Sequence, residues 1–291
     1  FPESEKVTIN TGGTTGAPLS SYTSKYARSL LRSSNIRGKS WAGIDYPVRT
    51  VTLAGSSLVP DESLSLIQSF RNLLERNIPL SAVSVNDTIL ESYISKINNF
   101  QPKVIRGYPS SIFTLADYIK ANSIYVHRPE VIFTTAEMLL QSQKEVIESV
   151  FSCRVFNHYS NPESMTNAYE CSAGGLHLGT DITFVEIVDG KIIATDLNNL
   201  VMPMIRYDTE DMAELKKNRC SCGRHLPLIK SLDGRKTDIL CFDNGNRIGG
   251  PALTLIFKEF NLINYQVIQE TGDSITINLV TNDQFEKEEI P

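Results

Sequence analysis

Apolar runs and helical periodicities alternate along the first 160 residues of the chain. Short β-branched and apolar runs predict strands at residues 7–9, 48–54, 80–85, 104–105, 131–133 and 155–156. Apolar residues at helical spacing predict helices at 62–77 and around 89–98, 112–121 and 141–150. This alternation of strands and helices predicts a parallel or mixed sheet that is covered by helices.

Two of the predicted helices carry specific expectations about their caps and buried faces. The first is predicted to begin after Ser20 or Ser21, because a serine hydroxyl can cap a helix N-terminus. Its predicted buried face carries Tyr22, Tyr26, Leu30 and Leu31. The helix over 62–77 is predicted to bury Leu64, Ile67, Phe70 and Leu74.

The pattern changes to strands and turns after about residue 170. Asp189-Gly190 is a two-residue turn of the hairpin type between predicted strands at 184–188 and 191–195. We therefore predict a β-rich subdomain over about 170–235. Near the end of the chain, a predicted helix at 253–260 and strands at 265–269 and 274–280 indicate a small α+β unit.

The sequence as a whole predicts an α/β protein with a domain boundary near Asp238. Residues 1–238 are predicted to form a large N-terminal domain with mixed or parallel sheets flanked by helices, and this domain includes the β-rich subdomain. Residues 239–291 are predicted to form a small, partial α+β C-terminal domain.

Composition and charge argue against several classes of protein. With 291 residues, 41% hydrophobic and 21% charged, the chain has the composition of an ordinary globular protein. The formal net charge is −5 and no run of Lys or Arg occurs, so neither nucleic acid nor a membrane is an expected partner. No apolar run reaches the ~20 residues of a membrane span, and residues 1–10 lack the regions of a signal peptide. We therefore expect a cytoplasmic protein.

A loop rich in glycine and threonine follows the first predicted strand and looks suited to phosphate. Glycine lets the backbone approach a ligand closely, so N–H groups and hydroxyls can converge on phosphate oxygens. The loop lacks the Lys-Ser/Thr pair of the Walker loop, and Gly12 and Gly13 are adjacent, unlike the first two glycines of the dinucleotide fingerprint. An ordinary glycine-rich turn is the alternative. The candidate phosphate ligands are Thr11, Gly12, Gly13, Thr14, Thr15 and Gly16.

Two later segments offer groups that suit the rest of a nucleotide. Tyr159 follows a predicted strand and can stack on a base, and Glu163 is a hard oxygen ligand that suits Mg²⁺. Asp211, in the charged segment 204–211, can accept hydrogen bonds from both hydroxyls of a ribose. A surface loop with a stray acid and a solvated charge cluster are the respective alternatives.

Taken in chain order, four motifs resemble those of the acyl-adenylate-forming superfamily. They are the loop 11–18, Tyr159-x-x-x-Glu163, Arg206-Tyr207-x-Thr209-x-Asp211 and Gly234-Arg235-x-x-Asp238. More narrowly, the chain resembles the branch of phenylacetate–CoA ligases and the CapK-like proteins of capsular polysaccharide gene clusters. The segments that match this branch are Gly107-Tyr108-Pro109-Ser110, Thr134-Thr135-Ala136-Glu137, Gly175-Leu176-His177 and Cys220-Ser221-Cys222-Gly223-Arg224.

The resemblance implies a role for each matching residue. Residues 11–16 would wrap the triphosphate of ATP, Glu163 would hold Mg²⁺, and Asp211 would bind the ribose. Tyr159 would stack on adenine, within an ATP-binding set that also includes Ala136, Glu137, Asn157 and His158. The residues expected near the acyl pocket are Tyr108, Pro109 and Ser110. Arg235 would approach ribose or phosphate, Asp238 would be the hinge of a rotating C-terminal domain, and both join Glu163 as expected catalytic residues.

The implied function is ATP-dependent, AMP-forming ligation of a small carboxylic acid, with aryl acids among the candidates. The acid would form an acyl-adenylate and then pass to coenzyme A or another acceptor, with ATP and Mg²⁺ as cofactors. A CapK-like nucleotide-binding protein of capsular polysaccharide biosynthesis without ligase activity is the alternative, and a homodimer stays open. Because residue 1 is not Met and no Gly-Lys of the catalytic kind precedes Pro291, we expect that the chain is a fragment.

The cysteines suggest a second candidate site. Five cysteines in a chain expected in the cytoplasm are unlikely to form disulfides. Cys171, His177, Cys220 and Cys222 form a Cys₃His set of the kind that holds structural zinc, and the resemblance supports this because some relatives carry zinc in a corresponding cluster. Two reduced thiols near a turn are the alternative. Cys153 and Cys241 are expected in the core.

Overall fold

The computed structural model describes residues 6–10, 20–55, 66–82, 86–235, 239–241, 247–249, 262–271 and 274–281. Within these residues the helices are α1 (Lys25–Ser40), α2 (Leu66–Leu74), α3 (Asp87–Phe100), α4 (Pro109–Ala121) and α5 (Gln141–Phe151). The strands of the first half are β1 (Lys6–Asn10), β2 (Ser20–Ser24), β3 (Thr50–Ala54), β4 (Asn77–Ser81), β5 (Val104–Gly107), β6 (Val131–Thr134), β7 (Arg154–Asn161) and β8 (Thr166–Glu170). The later strands are β9 (Leu176–Leu178), β10 (Thr183–Val188), β11 (Lys191–Asp196), β12 (Tyr207–Lys216), β13 (Leu228–Arg235), β14 (Ile239–Cys241), β15 (Arg247–Gly249), β16 (Leu262–Thr271) and β17 (Ser274–Thr281).

One sheet of eleven strands organises the structure. Its order is β10-β11-β12-β13-β9-β8-β7-β6-β5-β3-β4. Strands β4, β3, β5, β6 and the first half of β7 run parallel, whereas β8 to β13 pair antiparallel. The predicted α/β class with mixed sheets, flanking helices and a β-rich part is therefore confirmed.

Strand β7 joins the parallel and the antiparallel halves of this sheet. Its residues 154–157 pair parallel with β6, and residues 158–161 pair antiparallel with β8. A strand that pairs with two neighbours along different halves of its length fixes the position of both halves of the sheet. The side chains in the middle of β7 therefore lie where the α/β layer meets the β-rich layer.

The main core lies between the parallel strands and helices α3, α4 and α5. It is built from alternate strand residues such as Val51, Leu53 and Ile105, packed against Ile112 and Ile147 of the helices. The expected core residue Cys153 is half-buried at its edge. The opposite face of these strands has its own smaller cluster, in which Phe133 and Phe156 pack against the segment 42–48.

The predicted start and buried face of the first helix are wrong in part. Residues 20–24 form strand β2, which pairs with β1, and Ser24 rather than Ser20 or Ser21 caps α1 by accepting from the Ala27 N–H. Strand pairing supplies hydrogen-bond partners that a local serine cap cannot match. Tyr22 and Tyr26 are exposed, Leu30 and Leu31 are partly buried, and the buried positions of α1 include Ala27, Ser34 and Gly38.

The second helical prediction also needs correction. Helix α2 ends at Leu74, and Asn77 already belongs to β4, which replaces the strand predicted at 80–85. Phe70 and Leu74 are exposed, so the helical apolar spacing there does not mark a core face. Leu64 and the side chain of Ile67 lie outside the described residues and atoms.

The hairpin around Asp189-Gly190 is confirmed, because β10 and β11 pair directly across that turn. Two small antiparallel sheets follow, β14 with β15 and β16 with β17. The helix predicted at 253–260, residue Asp238 and the side chain of Cys241 fall outside the described residues and atoms. The boundary near Asp238 therefore stays a prediction. Within the described part of the chain, no helix is both long and apolar enough to span a membrane.

Gly38 offers a test of how α1 packs on the sheet. A methyl group at this position would overlap the ring of Tyr169 on β8. We expect Gly38→Ala to lower the free energy of unfolding by about 1–3 kcal/mol, because overpacking outweighs the ~1 kcal/mol gain in helix propensity. The control is Ser33→Ala, an exposed position on the same helix, which should change stability little. An equally stable or stabilised Gly38→Ala protein in denaturant unfolding would show that α1 does not pack here.

Candidate active site

Tyr159 and Asp211 meet although 52 residues separate them in the sequence. The Tyr159 hydroxyl donates to Asp211 Oδ2 over 2.7 Å. The Tyr159 ring is buried among Ala168, Leu178 and Ile192 of the β-rich layer. Burial, followed by the charge of Asp211, raises the pKa of Tyr159 well above its ordinary value. The hydroxyl is thus a fixed donor to a carboxylate.

The strand that carries Asp211 also brings Arg235 to the site. Asp211 on β12 and Arg235 on β13 are direct neighbours in the antiparallel ladder. Ahead of Asp211, the Thr209 hydroxyl donates to the Ile192 carbonyl and accepts from the Asp211 N–H. Glu210 between them has a φ of 63°, which is uncommon for a residue with a side chain. The motif predicted for the ribose is therefore a bent, internally bonded segment rather than a loose charge cluster.

Glu163 lies in the turn between β7 and β8 and is 8% exposed. After burial and the effects of Asp211 and Thr209, the charge of Glu163 also raises the pKa of Tyr159, four residues before it in the chain. Among the described residues, none donates a hydrogen bond to its carboxylate. The neighbouring polar groups instead bond to one another: Ser164 donates to Asn161 Oδ1 over 2.8 Å through its hydroxyl. A buried carboxylate without a described donor suits a hard cation such as Mg²⁺.

The candidate acyl-pocket and adenine segments touch each other at the ends of β5 and β6. The Ser110 N–H, in the first turn of α4, donates to Glu137 Oε2 over 3.1 Å. Ala136 has a φ of 70°, a strained conformation of the kind that clusters at functional sites. Gly107 is required here because a methyl group would overlap the Leu53 carbonyl oxygen of β3. The chain then continues through Tyr108 and Pro109 into α4.

Asn157 and His158 occupy different environments on β7. The Asn157 N–H donates to Glu170 Oε2 over 2.8 Å, and Lys144 lies 3.5 Å from the other oxygen of Glu170. Glu170 is 9% exposed. It was not predicted as a site residue, because no sequence motif includes it. The His158 ring stacks on Tyr169 at 4.2 Å and, by strand alternation, points to the face of β7 opposite Tyr159. The structure therefore does not bring His158 to Asp211.

Part of the predicted site falls outside the described residues. This holds for the phosphate loop, Thr11 to Gly16, and for Asp238. The roles assigned to them stay predictions, and the described part of the site consists of the residues around β6, β7, β12 and β13.

The four residues of the Cys₃His set come together in space. Cys171 Sγ lies 3.6 Å from Cys220 Sγ, and Cys222 Sγ lies 3.2 Å from His177 Nε2. All four ligand atoms lie within 4.8 Å of one another. A tetrahedral zinc site with Zn–S of about 2.3 Å and Zn–N of about 2.0 Å places its ligand atoms roughly 3.5–3.8 Å apart. The donor set and its spacing fit zinc.

Comparisons with known proteins agree with the resemblance read from the motifs. Protein CapK of Staphylococcus aureus is 27% identical over 293 residues, which cover 98% of this chain and 65% of CapK. A phenylacetate-coenzyme A ligase of Thermus thermophilus is 24% identical over 179 residues, which cover 55% of this chain and 40% of that enzyme. No family model matches the chain.

A solved structure shows that the fold is shared. The 2-hydroxyisobutyryl-CoA ligase in the postadenylation state in complex with R3-HIB-AMP matches with a TM-score of 0.71 at 18% identity. The match covers 96% of this chain and 63% of that ligase. The chain therefore covers less than two thirds of the length of each of these two proteins: 65% of CapK and 63% of the 2-hydroxyisobutyryl-CoA ligase.

The contact between Tyr159 and Asp211 can be tested by its contribution to stability. We expect Tyr159→Phe to lower the free energy of unfolding by about 1–3 kcal/mol, because a hydrogen bond to a charged group is lost. The loss should shrink when the same substitution is made in an Asp211→Asn protein. Tyr125→Phe is the matched control, since Tyr125 is exposed, and it should have little effect. Equal losses in both backgrounds would contradict the contact.

Proposed function

We propose that the chain, as a member of the acyl-adenylate-forming superfamily in the branch of phenylacetate–coenzyme A ligases and CapK, activates a small carboxylic acid with ATP. The reaction forms an acyl-adenylate and pyrophosphate. The acyl group then passes to an acceptor, and coenzyme A is the acceptor that the named ligase relatives suggest.

The observation that carries this proposal is the convergence of Tyr159, Glu163, Asp211 and Arg235. These residues come from three segments of the chain, yet Tyr159 bonds to Asp211, Asp211 neighbours Arg235, and Glu163 acts on Tyr159. A structural role alone does not require a phenol, two carboxylates and the backbone position of an arginine in one region. A nucleotide needs all three kinds of group, for its base, its ribose and metal, and its phosphates.

In the proposed reaction the chain's own residues bind and orient ATP. Asp211 accepts hydrogen bonds from the ribose hydroxyls in place of the one from Tyr159, whose ring packs on the adenine. The acid then attacks the α-phosphorus, and repulsion between the two anions must be offset by cationic groups such as Arg235. Mg²⁺ held by Glu163 supplies further charge neutralisation when it is bound.

Pyrophosphate exchange into ATP tests the ligase proposal. We expect exchange with at least one acid from a panel of aryl, aliphatic and dicarboxylic acids, measured with the full chain. Glu163→Gln should slow it roughly 10²–10³-fold, because a charge-stabilising group is lost. Glu145→Gln is the matched control, since Glu145 is exposed on α5, and it should leave the rate unchanged. ATP binding without exchange for any acid would instead favour a nucleotide-binding protein without ligase activity, as in capsular polysaccharide assembly.

We also propose that the Cys₃His set holds a structural zinc ion. Gly175 supports this assignment, because a methyl group there would lie 2.7 Å from Cys220 Sγ and crowd the ligands. The zinc would tie the turn at 220–223 to β9, which carries His177. A reducing, cytoplasmic location, which stays a prediction of the sequence, would keep the three thiols available.

Metal analysis of the purified protein tests the zinc proposal. We expect about one zinc per chain, and Cys220→Ser should remove most of it and lower the melting temperature by roughly 10 °C, as several kcal/mol of stability are lost. Cys153→Ala is the control, because Cys153 lies outside the cluster, and it should leave the zinc content unchanged. Unchanged zinc and melting in Cys220→Ser would contradict the assignment.

A further inference from the structure

A group of cationic and polar side chains lies on the sheet face opposite α3, α4 and α5. We call it the cationic chamber and define it as Lys39, Tyr46, Arg106, His158 and Tyr169. Lys39 Nζ lies 5.4 Å from the centre of the Tyr46 ring, and His158 stacks on Tyr169 at 4.2 Å with the rings 13° from parallel. The charge of Arg106 acts on Lys39, His158 and both tyrosines. The five side chains therefore form one electrostatic unit.

Lys39 is buried and Arg106 is half-buried, and among the described residues neither forms an ion pair with a carboxylate. Lys39 is 8% exposed, and burial, followed by the charge of Arg106, lowers its pKa to about 7. Burial also lowers the pKa of Arg106, whose Nε donates to the Thr52 hydroxyl over 2.9 Å. Glu75 is the carboxylate that acts on both, and it already accepts hydrogen bonds from Arg32 and Arg71. Buried charges are normally paired, so this arrangement calls for an anion.

Three buried polar atoms of the chamber lack a hydrogen-bond partner among the described residues. They are the hydroxyls of Tyr46 and Tyr169 and the Nε2 atom of His158. Tyr169 is only 2% exposed, so solvent does not satisfy its hydroxyl. Buried side-chain polar atoms have a partner in the great majority of cases, and each exception requires an explanation. The two hydroxyls can donate hydrogen bonds to an anionic group, and the ring nitrogen can do so when it carries a proton. The two neighbouring cations would attract the same anion.

The chamber and the proposed active site share two strands. Arg106 directly precedes Gly107 on β5, which opens the turn assigned to the acyl pocket, and His158 directly precedes Tyr159 on β7. Because successive strand residues point to opposite faces, Arg106 and His158 lie on the face opposite Gly107 and Tyr159. A ligand that uses both sites therefore has to pass around the carboxyl ends of these strands.

We propose that the cationic chamber binds an anionic group of a small ligand and that this ligand is the acid to be activated. This second statement rests on the proposed ligase function. The substrate class is then a carboxylic acid with a second anionic group, either another carboxylate or a phosphate-type group, rather than a simple aryl acid. The first carboxylate reacts with ATP, and the second is held by Lys39, Arg106 and the two tyrosine hydroxyls.

Binding without ATP tests the chamber independently of ligase activity. The probes are linear dicarboxylates of three to six carbons, their monomethyl esters, and 3-phosphonopropionate, titrated into the full chain by calorimetry. Trp41, the single tryptophan, gives a second readout because its ring contacts Tyr169 edge-on at 6.2 Å. We expect at least one dianion to bind roughly 10–100-fold tighter than its singly charged counterpart. The dicarboxylate and phosphonate arms identify which anion the chamber prefers.

Two substitutions and a control locate the binding. Lys39→Met should weaken dianion binding roughly 10–100-fold and should raise the melting temperature of the ligand-free protein, since a buried charge is removed. Tyr46→Phe should weaken binding several-fold without lowering stability, because its hydroxyl has no described partner. Lys103→Met is the control, since Lys103 is exposed and paired with Glu130 instead, and it should bind as the unmodified protein does.

The outcomes separate this inference from the ligase proposal. Three results would each overturn the chamber as an anion site. They are equal binding of diacids and monoesters, no binding of any dianion, and binding that neither Lys39→Met nor Tyr46→Phe weakens. If a dianion binds, Lys39→Met weakens this binding, and no acid supports pyrophosphate exchange, then the anion site is supported and only the ligase function is contradicted.

Discussion

The hydrogen bond between the Tyr159 hydroxyl and the Asp211 carboxylate connects β7, the strand that joins the two halves of the sheet, to β12 of the antiparallel half. Tyr159 lies on β7, the strand that pairs with the parallel sheet along one half and with the antiparallel sheet along the other. Asp211 lies on β12, whose neighbour β13 brings Arg235 alongside. Because both partners are held by sheet ladders, the strands that carry them have little freedom to shift.

The two faces of β7 carry opposite chemistry. On one face, Tyr159 meets carboxylates, Asp211 directly and Glu163 through its charge. On the other face, His158 packs on Tyr169 beside the cations Lys39 and Arg106. The first face suits ribose hydroxyls and a metal cation, and the second suits an anion. The two environments are separated by the strand itself, although residues 158 and 159 are consecutive.

Much of the fold could be predicted because its parallel strands are short apolar runs that are visible in the sequence. The runs at 104–105, 131–133 and 155–156 are apolar, and each ends within three residues of a residue proposed for the site. Strand β2 could not be predicted, because Ser-Ser-Tyr-Thr-Ser has no apolar alternation and is strand only through its pairing with β1. The order of motifs indicated that Tyr159 and Asp211 belong to one site, but not that they bond directly. The cationic chamber was missed because its residues are scattered, and Arg106 within an apolar strand was the one local sign of it.

A crystal structure of the chain with a non-hydrolysable acyl-adenylate analogue and Mg²⁺ tests the proposed site directly. We expect the ribose hydroxyls to bond to Asp211, the adenine to pack on the Tyr159 ring, and the metal to lie at Glu163. A nucleotide bound elsewhere, with the Tyr159–Asp211 hydrogen bond intact and no ligand beside it, would show that these residues do not form the ATP site.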